Sequence, residues 1–445
     1  MNSESRETSA ISLVPRVGVC SISSPLEIGA DRAPQAADDL SRRLAESGCE
    51  IVAEGAIGTP EESVAAGRRF NENQVDAIAI APASWCEDYL VTDLIEECSA
   101  PISFWPLPGM ETGALCGTQQ MTCFLKQLGH PYNAVFGEID DQKCLDRTLV
   151  FLRGAALKSR LRRARIGLAG NHVNGMTHPA PNEFALKRVL GPRVVPLDVP
   201  MMLQRAEEMP DDEAEQCWGR VVHRAGKCTV PLKDGVDSTR IYAAMRELVA
   251  EHGLTALTVG CYPHLMGRVC LSSSLLADEG IPMACEGDVH GAVCQYILMM
   301  LTGQPTHNTD WLDPLDDDTV IFSHCGLGSF SLAESGAAVT LEPVRLMDQG
   351  VCALFTGKPG PVTMLDLTAT TDGYQCAVME GEALPTEMVF PGNPVRVRFK
   401  KPLEEVMHWI HREGIGHHWM IGYGHVGAEL RAWAGIVGDG LRFLS

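Results

Sequence analysis

Residues 75–81 read Val-Asp-Ala-Ile-Ala-Ile-Ala (VDAIAIA), and this short run decides the fold class. After one charge at its second position it holds only small or branched apolar residues. A strand with no polar side must be covered on both faces. Helical patterns flank it. Residues 60–70 have helical spacing, with Thr59 as N-cap and Pro60 in the first position. Residues 88–98 are also helical. Further out, 101–105, 50–53 and 16–20 (RVGVC) are strand-like, and 35–47 is helical at Leu40, Leu44 and Ala45. Strands alternating with helices predict a parallel sheet with helices on both faces. Ligands bind at the carboxyl ends of such sheets. Here those ends are the loops 21–29, 82–86 and 106–112.

A basic stretch, 158–165 (KSRLRRAR), closes this unit and reads as a solvated helix end or linker. A second alternating unit starts at 165–169 (RIGLA). A helix near 182–190 and a strand at 193–197 follow, then an amphipathic helix at 237–251 with Ile241, Met245 and Leu248 on one face. Beyond these lie a strand at 255–259, a helix at 268–278 and a strand at 281–285. A long apolar helix then runs to about Thr302, with Gly303 as its stop. After residue 304 the pattern becomes short β segments at 319–323, 337–341, 351–356, 362–368, 375–380 and 394–399. A helix at 403–413, a strand at 418–423 and a helix at 426–437 complete the chain. The reading is an α/β chain of three domains, 1–163, 164–303 and 304–445, the last β-rich and barrel-like.

Length and composition agree. The chain has 445 residues, and domains of roughly 100–200 residues predict two to four of them. With 36 Lys+Arg against 57 Asp+Glu the net charge is -21, which repels nucleic acid and anionic lipid. No stretch approaches the roughly 20 apolar residues of a membrane span. The first ten residues show no apolar signal segment and read as a short disordered tail. The 16 cysteines are scattered, with no zinc-knuckle spacing, as in a reduced cytoplasmic protein.

Three places put ionisable groups at strand ends. The first is Cys285-Glu286-Gly287-Asp288, where carboxylates leave a buried strand at the start of an apolar helix. A buried carboxylate needs a partner or a metal, although either acid could simply cap the helix. The second is Asp310 beside Trp311, which could equally be a turn residue. The third is His417-His418 at the head of an apolar run. Adjacent strand residues face opposite ways, so only one of these histidines faces a given site. His324, in Ser323-His324-Cys325-Gly326, is a fourth candidate. Two carboxylates and an imidazole suit Mn²⁺, Mg²⁺ or Fe²⁺. Walker A, G-x-S-x-G, H-E-x-x-H and G-x-G-x-x-G motifs are missing from the places where they would carry chemistry.

These residues resemble the L-fucose isomerase family, a relative of the L-arabinose isomerases. The likeness rests on Ala284 through Asp288, the helix ending Leu301-Thr302-Gly303, then Asp310. It continues from Gly416-His417-His418 through Gly424-His425-Val426-Gly427-Ala428-Glu429-Leu430. The strong match covers roughly 280–312 and 415–437. The resemblance implies two Rossmann-like parallel-sheet domains followed by a β-rich barrel-like domain. It also implies a metal held by Glu286, Asp310 and His418, and a closed homo-oligomer, a trimer or hexamer, in which a neighbour's first domain helps close the site. The chain departs from the family in being shorter between Asp310 and His418 and in lacking an arginine after its first strand.

The expected function is a divalent-metal-dependent aldose–ketose isomerase acting on a free sugar through a cis-enediol, with Mn²⁺ as the expected metal and Mg²⁺ second. Glu286 and Asp310 are the expected catalytic pair. Asp288, His324 and Trp105 are the expected further substrate contacts, Trp105 as an apolar wall for a sugar face. The alternatives are a non-catalytic sugar-binding or regulatory relative, or an epimerase or lyase that uses the same enediolate.

Overall fold

The structure, a computed structural model, describes residues 12–334 and 339–445. The expected N-terminal tail lies outside the described residues, as do the first two positions of the β segment expected at 337–341. The chain forms two compact units. One is built from Leu13–Arg160 and Ala428–Gly438, the other chiefly from Leu161–Gly427 and Asp439–Ser445.

The smaller unit is a parallel sheet of β1 (Arg16–Ile22), β2 (Glu50–Ile57), β3 (Ala77–Pro82), β4 (Ile102–Phe104) and β5 (Tyr132–Ala134), in the order β2-β1-β3-β4-β5. Strand β3 is buried at every position. Its alternation divides the core between the two faces. Ile78 and Ile80 pack with Phe70, Leu90, Leu94 and Met121. The small Ala77, Ala79 and Ala81 leave room for Leu40, Leu44, Trp105 and Phe151 on the other face. The helix Pro60–Glu72 starts where expected. Thr59 accepts from the Glu62 amide, and the Glu62 carboxylate accepts from the Thr59 amide, a reciprocal cap. The basic stretch closes the helix Gln142–Arg163, where Lys158 donates to the Ile436 carbonyl at 2.7 Å and Arg160 pairs with Asp76.

The larger unit holds a parallel sheet of Met283–Ala284, Ala256–Val259, Arg165–Ala169 and Arg193–Leu197 in spatial order. It also holds a closed antiparallel barrel. Going round, the barrel strands are Gly360–Ala369, His418–Tyr423, His307–Leu315, Thr319–Ser323, Val395–Phe399 and Tyr374–Leu384, which pairs again with the first. The fold class is thus α/β parallel sheets with a β-barrel, as expected. The strand expected at 281–285 shrinks to two residues, because the chain turns sharply at Glu286. The helix Val289–Thr302 is buried from Val289 through Leu301 and ends at Gly303 in the left-handed region. No helix among the described residues is long and apolar enough to cross a membrane.

Candidate metal and catalytic site

The site is assembled in the larger unit by two local structures and one register. The first local structure is the turn out of Met283–Ala284. Glu286 has φ 64°, which a residue with a side chain rarely adopts, and Gly287 follows at φ 71°. Backbone bonds hold this turn. Val173 N donates to Glu286 O at 3.2 Å, and Gly287 N to Val259 O at 2.9 Å. Asp288 then caps the buried helix by accepting from Gly291 N at 2.9 Å. The register is that of the barrel. Asp310 lies directly opposite His418 on one side and Ser323 on the other, so His324 follows at the same rim.

His418 is the centre. Its Nδ1 is 2.9 Å from Asp288 Oδ2 and its Nε2 is 3.1 Å from Glu286 Oε2. Asp310 Oδ1 is 3.6 Å from the same Nε2, and Asp310 Oδ2 is 3.8 Å from His324 Nε2. Burial alone would push His418 down. The hydrogen bonds to Asp288 and Glu286, with the nearby Asp310 charge, outweigh it and carry His418 up to about 10. Burial likewise pushes Glu286 and Asp288 up, yet the His418 bond prevails and both end below their ordinary values. The carboxylates therefore select a positive charge at this point.

The donor set fits a metal ion. Ligand atoms of Glu286, His324 and His418 all lie within 4.8 Å of one another. Asp310 Oδ1 and both His324 nitrogens are buried without a hydrogen-bond partner. Native proteins rarely leave such atoms unsatisfied, and a cation here would satisfy Asp310 Oδ1 and one of the His324 nitrogens. The thiols next in sequence do not compete. The Cys261 hydrogen bond and burial push Cys285 above the ordinary thiol range, and burial does the same to Cys325, so both stay protonated. Asp288 faces the other imidazole nitrogen and so directs Nε2 toward the ligand cluster. Asp288→Asn keeps the helix cap but loses the carboxylate partner. Metal affinity measured by titration calorimetry is expected to fall about 10–100-fold, with the circular dichroism spectrum unchanged.

The structure brings five of the six expected residues together: Glu286, Asp288, Asp310, His324 and His418. Trp105 is a correction. It is 1% exposed in the core of the smaller unit, and its Nε1 donates to Gly137 O at 3.0 Å. Its ring is enclosed there and is not a wall for a sugar. His417 is a second correction. Strand alternation predicted that it points away, but it precedes the strand His418–Tyr423 and escapes the pleat. Its ring centroid is 4.1 Å from that of His418, and its Nε2 is 4.0 Å from Asp310 Oδ1. His178 went unnoticed in the sequence because nothing local marks that loop. Burial, His417 and His418 together push it down to about 4.

Asp366 also went unnoticed. It is buried beside the site, where Thr368 Oγ1 donates to it at 2.6 Å. Burial pushes it up to about 7, whereas an ordinary aspartate titrates near ~3.9. Between those values the folded chain holds a proton that the unfolded chain has released. Stability therefore falls as pH rises through that window, and the cost persists above it. Asp366→Asn is expected to raise the melting temperature by several degrees at about pH 8 and to give no gain at about pH 4, read by calorimetry.

No protein-family model matches the chain. Curated relatives do. A sulfoquinovose isomerase from Alkalicoccus urumqiensis is 28% identical over 374 residues, 80% of this chain and 83% of its own. Those from Priestia megaterium and Clostridium sp. are 26% and 27% identical over 376 and 359 residues. They cover 80% and 76% of this chain, and 83% and 79% of their own. Among solved structures, a fructose-binding periplasmic domain of a hybrid two-component system aligns with 55% of this chain and 71% of its own. Its 12% identity and TM-score of 0.16 carry no argument. The likeness to the isomerases extends well beyond the site motifs and makes the chain an enzyme, a sugar isomerase of the aldose–ketose type. The relatives it resembles are sulfoquinovose isomerases, which bear out the expected sugar isomerase but not the particular L-fucose isomerase family.

Proposed function

We propose that this enzyme is a divalent-metal-dependent ketol isomerase that works through a cis-enediol, and that its substrate is a free aldose bearing a 6-sulfonate. The observation that carries the metal reading is the set of unsatisfied buried atoms on Asp310 and His324 facing Glu286 and His418. The substrate class is taken from the relatives' names. Glu286, Asp310, His418 and His324 would hold the cation, and the thiolate-free donor set favours Mn²⁺, with Mg²⁺ second. A bound cation supplies positive charge against the oxygen charge that develops when the C2 proton leaves.

The protein's own groups do the rest. Glu286 Oε2 and Asp310 Oδ1 both lie near His418 Nε2, at 3.1 and 3.6 Å. One carboxylate removes the proton at C2 and returns it at C1, and the other serves the hydroxyl protons. Asp288 keeps the His418 ring in place while they act. Glu286 holds a left-handed backbone while its carboxylate reaches His418. Incubation with Mn²⁺ and sulfoquinovose in D₂O, read by NMR, tests the reading. The expected result is a 2-keto product with deuterium at C1 and exchange at C2. A pure binder exchanges nothing and a lyase gives fragments, and either outcome sinks the proposal.

Assembly belongs to the same reading. In the smaller unit the β1–helix loop exposes Leu26 and Ile28, and the β4–helix loop exposes Met110. Gly29 and Thr112 bring these loops together. Three exposed apolar side chains at the carboxyl mouth of a parallel sheet suit coverage by another copy. The enzyme is therefore proposed to be a trimer or hexamer, and a light-scattering mass of a fully active monomer contradicts that.

A further inference from the structure

Residues 170–182 leave the strand Arg165–Ala169 and settle on the site. Missing side chains at two glycines allow this approach. A Cβ on Gly260 would meet Asn171 O at 2.1 Å, and one on Gly287 would meet it at 2.5 Å. The far end of the loop lies beside Gly416, where a Cβ would come within ordinary contact, 3.4 Å, of His178 Cδ2. With Val173 N bonded to Glu286 O, the loop is anchored both on the turn that carries Glu286 and on the segment ahead of His418.

The loop thereby delivers His178. Its ring centroid is 4.9 Å from that of His417 and 5.9 Å from that of His418. One ring nitrogen of each of the three histidines lies within 4.8 Å of the others, and His178 is exposed. Among the described residues no hydrogen bond occupies either of its nitrogens. It is an uncommitted base on the exposed side of a site in which Glu286 and Asp288 are hydrogen-bonded to His418.

An aldose in water is mostly a closed hemiacetal, and proton transfer between C1 and C2 requires the open chain. Resting on the isomerase reading above, we propose that His178 is a catalytic residue that opens the sugar ring. In this step the O1–H proton passes to a His178 ring nitrogen and C1–O1 becomes a carbonyl. The C1–O5 bond breaks with its electron pair on O5, and O5 takes a proton from water. The hydroxide left behind recovers the proton from the imidazolium, so the step needs no other reactant.

Anomer exchange reads ring opening apart from the C–H chemistry. NMR magnetisation exchange between α- and β-sulfoquinovose is compared for the wild-type protein and His178→Ala, both with Mn²⁺. The wild type is expected to accelerate exchange. His178→Ala is expected to lose at least about tenfold of that acceleration while keeping its metal content, and added imidazole is expected to restore it. Exchange at the wild-type rate in the variant overturns the proposal. So does loss of metal, which would make His178 a ligand, and so does a loss that imidazole does not restore, which would make it structural. A wild-type protein that isomerises sulfoquinovose without accelerating anomer exchange overturns this proposal alone. One that does neither overturns the isomerase reading with it.

Discussion

Glu286→Gln lowers turnover by about 10³-fold or more while the protein stays folded, and Asp310→Asn does the same. The amides are close in shape to the acids, so packing is kept. What disappears is the negative charge that holds a cation and the oxygen that takes a proton. His418→Ala has a second cost. Glu286 and Asp288 share His418 as their hydrogen-bond partner, and buried carboxylates left alone are destabilising by about 3–5 kcal/mol. That variant therefore loses metal and melts earlier even without metal, whereas the two amide variants keep the melting temperature of the metal-free wild type. Glu286→Gly separates strain from chemistry. Glycine accepts φ 64° freely, so the glycine variant is expected to gain about 1 kcal/mol of stability and to have no activity. Steady-state kinetics, elemental analysis and calorimetry on the four proteins check this. Full activity and full metal content in any one of them removes that residue from the site.

Chelation has the other large effect. Removing divalent metal with EDTA is expected to abolish turnover, and Mn²⁺ to restore it more fully than Zn²⁺. Zinc favours tetrahedral sites of nitrogen and sulfur, while this cluster offers carboxylates and imidazoles beside thiols that stay protonated. The metal also acts on stability. A ligand that binds only the folded chain adds RT ln(1 + [L]/Kd), about 2.7 kcal/mol at a hundredfold excess over Kd. The melting temperature should therefore climb with Mn²⁺ concentration in the wild type and stay flat in His418→Ala. Unchanged turnover after exhaustive chelation would sink the metal reading.

The sequence by itself determined whatever depends on a short window. The Ala/Ile alternation of β3 announced a strand covered on both faces. Thr59-Pro60, Asp288 and Gly303 marked helix ends, because capping involves only the first or last turn. The helix Leu403–Glu413 and the strand His418–Tyr423 have the bounds that periodicity predicted. Glu286, Asp310 and His418 stood out because a charged group beside an apolar run needs a partner. Only the tertiary structure decided who those partners are. Asp310 meets His418 through a barrel register between strands more than a hundred residues apart, and no local pattern sets that pairing. The left-handed turn at Glu286 follows from where the docked loop and the sheet hold its backbone. His178 arrives on a loop admitted by glycines at 260 and 287, each silent in its own neighbourhood. His417 comes beside His418 because it lies one residue outside the pleat, and Trp105 is enclosed because Leu40, Leu44 and Phe151 pack with it. Contacts of this kind depend on the whole chain at once, since each is set by the packing of segments that share no window of sequence.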